Sequence, residues 1–169
     1  MVRCTATQLL LLAALFVVSS VALSAQDEQG LQAEVFGASV HLYDDGDEAS
    51  DQSYGLRAAY RFTSRWAIEA ALSKIDDHDV DAYLGDVSAK LTFARFERFS
   101  VYALAGPGIL RIRDKGFDVD EDTYHLGVGA EIPFAGKGYL RPEVRGRRYV
   151  DSNLDATLVD YSLGVGWRF

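Results

Sequence analysis

The chain has one cysteine, Cys4, and after residue 18 no apolar run approaches the roughly 18 residues that a membrane-crossing helix needs. Cys4 lies in an opening segment expected to be removed, and it precedes the apolar run, so it is not placed to carry a lipoprotein's lipid. The mature chain is then free of cysteine, which excludes disulfides and thiolate metal sites. Positive charge is also in short supply. Lys and Arg number 17 against 25 Asp and Glu, for a net charge of −8, which argues against general nucleic-acid binding. The mean hydropathy near zero resembles that of a soluble protein, but it averages over an uneven chain.

The unevenness starts at the N-terminus. Arg3 and the free amine are followed by the apolar run Leu9 to Val18, then by small residues at Ser19, Ser20, Ala22, Ser24 and Ala25. That order is the layout of a secretory signal, with cleavage expected after Ala25; Ser24 and Ala22 also satisfy the small-residue rule. The run is too short for an anchor helix and has no charged stop behind it. Residues 1–25 are therefore expected to leave, and 26–169 to form a single domain. Loss of Arg3 takes the net charge from −8 to −9.

From Gly30 onward the dominant signal has a period of two. Tyr54, Leu56, Ala58, Tyr60 and Phe62 alternate with Gly55, Arg57, Ala59 and Arg61. Trp66, Ile68, Ala70 and Leu72 alternate with Ala67, Glu69, Ala71 and Ser73. The same holds for Tyr83 to Phe93 against Asp86, Ser88, Lys90 and Thr92, and for Tyr124 to Phe134 against His125, Gly127, Gly129 and Glu131. In the last segment, Tyr161, Leu163, Val165, Trp167 and Phe169 face away from Asp160, Ser162, Gly164, Gly166 and Arg168. Alternate side chains of a strand point to opposite faces, so each segment has one apolar and one polar face.

A soluble sandwich alternates too, so location rests on two further features. The polar faces carry charges and glycines, and the apolar faces begin and end in aromatics about nine to eleven residues apart, the length of a tilted membrane strand with interfacial girdles at its ends. Three less regular segments complete the count. Leu31 to Tyr43 changes phase near Phe36 and Gly37, which predicts a bulge or kink. Phe99 to Arg111 contains Gly106-Pro107-Gly108, and its faces are not assigned. Tyr139 to Val150 puts Pro142 and Arg148 outside, with Arg141, Glu143, Arg145, Arg147 and Tyr149 inside.

Eight strands result. Short connections at Thr63-Ser64, Arg95 to Arg98 and Gly136-Lys137 alternate with longer acidic ones near Asp44–Asp51, Asp76–Asp81, Arg113–Asp122 and Asp151–Asp155. Short periplasmic turns with longer outside loops are the membrane-barrel arrangement. Hydrocarbon offers nothing to an unpaired N–H or C=O, so a spanning sheet must close. The expected fold is all-β, a closed antiparallel eight-stranded transmembrane up-and-down β-barrel. An interior of that size is filled by side chains. Those directed inward include Arg57, Arg61, Glu69, Asp86, Lys90, Glu131, Arg141, Glu143, Arg145, Arg147, Asp160 and Arg168, an expected ion-pair network that plugs the lumen.

The run Tyr54-Gly55-Leu56-Arg57-Ala58-Ala59-Tyr60-Arg61-Phe62-Thr63-Ser64-Arg65-Trp66-Ala67-Ile68-Glu69 resembles the second and third strands of small OmpA-type eight-stranded outer-membrane β-barrels. The ending Tyr161 to Phe169 is similar to the signature by which such proteins reach the outer-membrane assembly machinery. The resemblance covers essentially the whole mature chain and implies the cell outer membrane, with its lipids and lipopolysaccharide as neighbours and a monomeric state. It implies little about activity, because relatives serve as anchors, adhesins, stress-resistance proteins and occasional enzymes. The peptidoglycan-binding domain of full-length OmpA is missing from the sequence, so a tethering role is not implied.

Chemistry-bearing residues are few. His41, His78 and His125 are the only histidines, and none has an adjacent serine or a nucleophile motif. Asp44, Asp45, Asp47 and Glu48 crowd one loop; Asp76, Asp77, Asp79 and Asp81 another; Asp118, Asp120, Glu121 and Asp122 a third. Clustered carboxylates can hold Ca²⁺ or Mg²⁺, yet Asp118 to Asp122 lacks the glycine and distal glutamate of an EF-hand. Solvated loops extended by self-repulsion are the plainer expectation. No catalytic, cofactor-binding or metal residue is assigned. A non-enzymatic structural or surface-interaction role is expected, with a narrow pore or a lipid A-modifying enzyme as alternatives.

Overall fold

The computed structural model describes residues 29–44, 47–76, 81–114, 117–150 and 157–169. Eight strands follow one another in chain order: β1 (Gly30–Asp44), β2 (Asp47–Arg61), β3 (Trp66–Asp76), β4 (Asp81–Arg95), β5 (Ser100–Asp114), β6 (Phe117–Ala135), β7 (Gly138–Tyr149) and β8 (Thr157–Arg168). Each pairs antiparallel with its neighbour, and β1 closes on β8 from Gln32↔Arg168 to Tyr43↔Thr157. Residues 1–28, with the expected signal segment, lie outside the described residues, as do Asp45, Asp77, His78 and Asp79.

The alternation in the sequence sets the two faces. Leu56 is 62% exposed on the outside, whereas Arg141 is 1% exposed within, the reverse of a soluble protein. Tyr54, Tyr124 and Tyr161 ring the outer surface toward one end, and Trp66, Phe93, Phe134 and Trp167 toward the other. An apolar band flanked by aromatic girdles is the surface that a bilayer requires. The end with the lower girdle carries Gly30, Phe169 and the turns at 62–65, 96–99 and 136–137; it is termed the turn end, and the opposite one the loop end. Thr63 Oγ1 accepts the backbone N–H of Trp66 at 2.9 Å to shape the first turn, and Gly136 takes φ +52° to shape the third.

Two expectations need correction. β1 has no bulge at Phe36-Gly37, because its register with β2 runs unbroken from Gly30↔Arg61 to Asp44↔Asp47. Phe36 and Val40 instead continue the inward face, and the Arg57 guanidinium covers the Phe36 ring at 3.8 Å. The second correction concerns loop length. Asp47–Asp51 belongs to β2, while β5 reaches Asp114 and β6 begins at Phe117, so most of the expected Arg113–Asp122 loop is strand. Ladder pairs Arg111↔Asp120 and Ile112↔Val119 carry that hairpin past the upper girdle.

The unassigned strand now has faces. On β5, Tyr102, Leu104, Gly108 and Leu110 point inward, whereas Ala105 and Ile109 point outward. A Cβ on Gly106 would collide with the Val87 carbonyl oxygen, and one on Gly108 with Asp86 Oδ1, so glycine is what the available space permits. No ladder pair joins Val87-Ser88 to Gly106-Pro107, nor Ala130-Glu131 to Arg141-Pro142. Both gaps hold a proline, which has no N–H to donate.

Candidate functional site: the ionised interior

The inward charges expected from the sequence lie inside the barrel, Arg61 and Arg168 part-exposed at its turn-end mouth, and Glu34, Gln32, Tyr102 and Tyr139 join them. Near the turn end, Glu131 accepts hydrogen bonds from Lys90 Nζ at 2.8 Å, Arg168 Nη2 at 2.8 Å and Arg61 Nη2 at 3.1 Å. Lys90 also donates to Gln32 Oε1 at 3.3 Å and lies 3.7 Å from Glu69.

One level up, Arg141 is the hub. It donates to Glu69 at 2.5 and 3.0 Å, to Glu143 at 2.6 Å, to Glu34 at 3.4 Å and, through Nε, to the Tyr102 hydroxyl at 2.6 Å. The Tyr102 hydroxyl in turn donates to Glu143 at 2.7 Å. Arg57 bridges Glu34 at 2.6 Å, Ser162 at 2.9 Å and Glu143 at 3.2 Å. Above these, Arg145 spans Glu143 and Asp86, each at 2.8 Å, and Arg147 spans Asp86 at 2.5 Å and Asp160 at 2.7 Å. Charges removed from water this completely persist only when paired and hydrogen-bonded, and here most have several partners.

Toward the loop end the filling changes character. Ile75, Ala82, Leu84 and Leu110 form a buried apolar cluster inside the barrel, with Ile112 and Tyr149 packed against it. Sequence reasoning missed this layer, because Leu110 sat on the unassigned strand, Ile75 lay beyond the stretch given faces, and Leu84, although between Tyr83 and Asp86, was assigned to neither face.

The histidines separate. His78 is outside the described residues. His41 faces outward, 3.1 Å from the Ser39 hydroxyl, stacked with Tyr43 and edge-on to Tyr161. His125 faces inward with Nε2 2.8 Å from Ser88 Oγ and Nδ1 3.5 Å from Asp86 Oδ1. The fold thus brings together a serine, a histidine and a carboxylate that sequence spacing did not connect. The geometry differs from a nucleophilic triad in two respects. Nδ1 makes no hydrogen bond, and both Asp86 oxygens are taken by Arg145 and Arg147.

Of the acidic residues in the third group, Asp120 is held in strand pairing, accepting from Arg111 Nε at 2.6 Å and Nη2 at 2.7 Å. Those hydrogen bonds hold its carboxyl below the usual carboxylate range. Among the described residues, no three His, Asp or Glu side chains gather as a metal cage.

A closed antiparallel barrel with an apolar, aromatic-girdled exterior and an ionised interior defines the class: a small β-barrel protein of the outer membrane. The chain belongs to the outer membrane protein beta-barrel domain family, whose model matches residues 10–169. Neisserial surface protein A (NspA) is similar in structure, at TM-score 0.71 and 16% identity over 82% of this chain and 97% of that one. The N-terminal beta-barrel domain of Pseudomonas aeruginosa OprF matches at 0.63 and 15%, over 84% and 100%. Ail, the attachment invasion locus protein of Yersinia pestis, matches at 0.62 and 18%, over 84% and 99%, in a complex with the heparin analogue sucrose octasulfate. No curated protein sequence matches the chain significantly.

Proposed function

We propose that this outer-membrane barrel is non-enzymatic, has a plugged lumen, and serves a structural or surface-interaction role through its acidic loop end. The observation that carries the reading is the ion-pair network from Arg61 to Asp160, capped by the apolar cluster around Leu84. Water and ions crossing such an interior would have to break several buried pairs at once. Residues 1–25 act as a secretory signal, and the strand from Tyr161 to Phe169 is the part that the assembly machinery engages. The barrel sits in the bilayer as a monomer among lipids and lipopolysaccharide. The names of two structural relatives, a surface protein and an attachment protein, accord with loops that meet the outside. The loop-end connections are rich in Asp and Glu, so this end suits cationic partners better than sulfated sugars.

Planar-bilayer recording tests the plug. The purified barrel should give no stable conductance steps, and regular steps would replace this reading with a narrow pore. One observation favours that second reading: His125 Nδ1, Thr123 Oγ1 and Asp160 Oδ1 are buried without hydrogen-bond partners, and such atoms invite internal water. Lipid A mass spectra with and without the gene test the non-enzymatic reading, for which the two should coincide.

A further inference from the structure

The interior charge is not evenly distributed along the barrel axis. At the turn end, three cations, Arg61, Lys90 and Arg168, converge on one carboxylate, Glu131. Deeper in, the four arginines Arg57, Arg141, Arg145 and Arg147 face five carboxylates, those of Glu34, Glu69, Asp86, Glu143 and Asp160. From these side chains alone, the mouth holds a surplus of two positive charges, which the terminal carboxylate of Phe169 on the same rim brings down to one, and the layers above it a deficit of one. Low-dielectric walls focus such a field into the opening.

The mouth is also hollow. A vestibule of about 370 Å³ opens there, lined by Arg61, Arg168, Glu131, Gln32 and the rim residues Phe96 and Phe99. Arg95 and Glu97 sit on the rim and offset each other in charge. Phe96 and Phe99 stack with centroids 4.6 Å apart, giving one wall an apolar surface. Arg61 and Arg168 are the solvent-facing members of the triplet, with side chains 15% and 32% exposed. The Arg168 guanidinium also lies over the Tyr139 ring, 5.0 Å from its centroid, which fixes its plane at the mouth.

We propose that this vestibule is a binding site for a phosphate group, with Arg61 and Arg168 as its ligands and Glu131 as the residue that holds them in place. Two guanidiniums side by side match the oxygens of a dianion in geometry and charge, and Lys90 adds long-range attraction from deeper in the lumen. The apolar wall leaves room for a carbon skeleton beside the phosphate. A free solute and a lipid headgroup present the same chemistry here, because the mouth opens at the level of the lower aromatic girdle. The site stands whether or not the loops meet a partner.

The test uses the full barrel in uncharged maltoside micelles, with NMR detection of arginine side-chain N–H signals. Inorganic phosphate is titrated in one arm and short-chain phosphatidylglycerol in the other. Saturable shifts at Arg61 and Arg168 with inorganic phosphate support a solute site, and shifts with the lipid alone support a headgroup site. Arg61→Gln should weaken binding about tenfold, the usual scale for one charge-assisted hydrogen bond. Glu131→Gln, which keeps an acceptor oxygen to hold the two guanidiniums but removes the charge that competes for them, should tighten it, a gain that a misfolded barrel cannot imitate. Arg148→Gln, an exposed outward cation, should leave it unchanged. Absence of shifts in both arms, or an equal loss in the Arg148 variant, would overturn the proposal.

Discussion

Arg141 on β7 clasps Glu69 on β3 at 2.5 and 3.0 Å, although the two strands stand on opposite sides of the barrel. The pair is a strut across the lumen, and it links the lower charge layer to the upper one through Lys90 and Arg145.

Breaking the strut on one side takes two hydrogen bonds from the Arg141 guanidinium, while Glu143, Glu34 and Tyr102 keep it paired. Glu69→Leu should destabilise the barrel by about 1.5–3 kcal/mol, the range for hydrogen bonds to a charged group. Denaturant titration in lipid vesicles, followed by the folded-versus-unfolded gel shift, measures it. The double variant Glu69→Leu with Arg141→Leu should lose clearly less than the sum of the single losses, since both single variants remove the same pair of hydrogen bonds. Strict additivity would mean that the pair is not coupled.

The exterior gives a prediction of the opposite kind. Leu163 faces lipid between Tyr161 and Trp167, 59% exposed. Leu163→Arg should cost about 2–4 kcal/mol, the mid-depth figure for a lipid-facing arginine. A loss near zero in the same titration would place Leu163 away from the hydrocarbon.

These two faces differ in how much the sequence revealed. Outward residues of β2, β3, β4, β6 and β8 are legible because lipid imposes one rule, apolar at every second position, with no exceptions to negotiate. The interior allows more. Phe36 reads as a phase error, yet it sits inside under the Arg57 guanidinium, so an apolar ring is as acceptable there as a charge. Glu34 was lost with it, because a break at Phe36 leaves the residues before it without a face. Gly106 and Gly108 carry no hydropathy signal, and their positions follow from the Val87 and Asp86 atoms they make room for. The meeting of Ser88 with His125 depends on those same glycines in the strand between them, a three-strand relationship that linear spacing does not encode.

Glycine sockets make a third prediction. A Cβ on Gly129 would overlap the Tyr102 hydroxyl, which is already fixed by Arg141 and Glu143. Gly129→Ala should destabilise by about 1–3 kcal/mol through overpacking. Gly146 has its nearest neighbour, the Leu126 carbonyl oxygen, at 4.0 Å, so Gly146→Ala should be close to neutral. Equal effects at the two positions would refute the space argument.

A fourth concerns acid. Because hydrogen bonds from Arg111 depress the Asp120 carboxyl, its contribution to the β5–β6 extension is present above the ordinary value of 3.8. It is lost as pH falls through the lower folded value. An NMR titration of the Asp120 carboxyl carbon should therefore give a midpoint under 3.8, and Arg111→Gln should move it most of the way back. A wild-type midpoint at the ordinary value would show that the pair does not persist in solution.

The apolar cluster of Ile75, Leu84 and Leu110 has a consequence for how dissolved salt acts on the barrel. Dissolved salt weakens ion pairs that it can surround, within a Debye length of roughly 10 Å at 0.1 M. The greasy stopper shields the upper struts, Arg145 to Asp86 and Arg147 to Asp160, whereas the Glu131 triplet at the hollow lower mouth meets dissolved ions directly. Salt should therefore loosen this barrel from its lower end first.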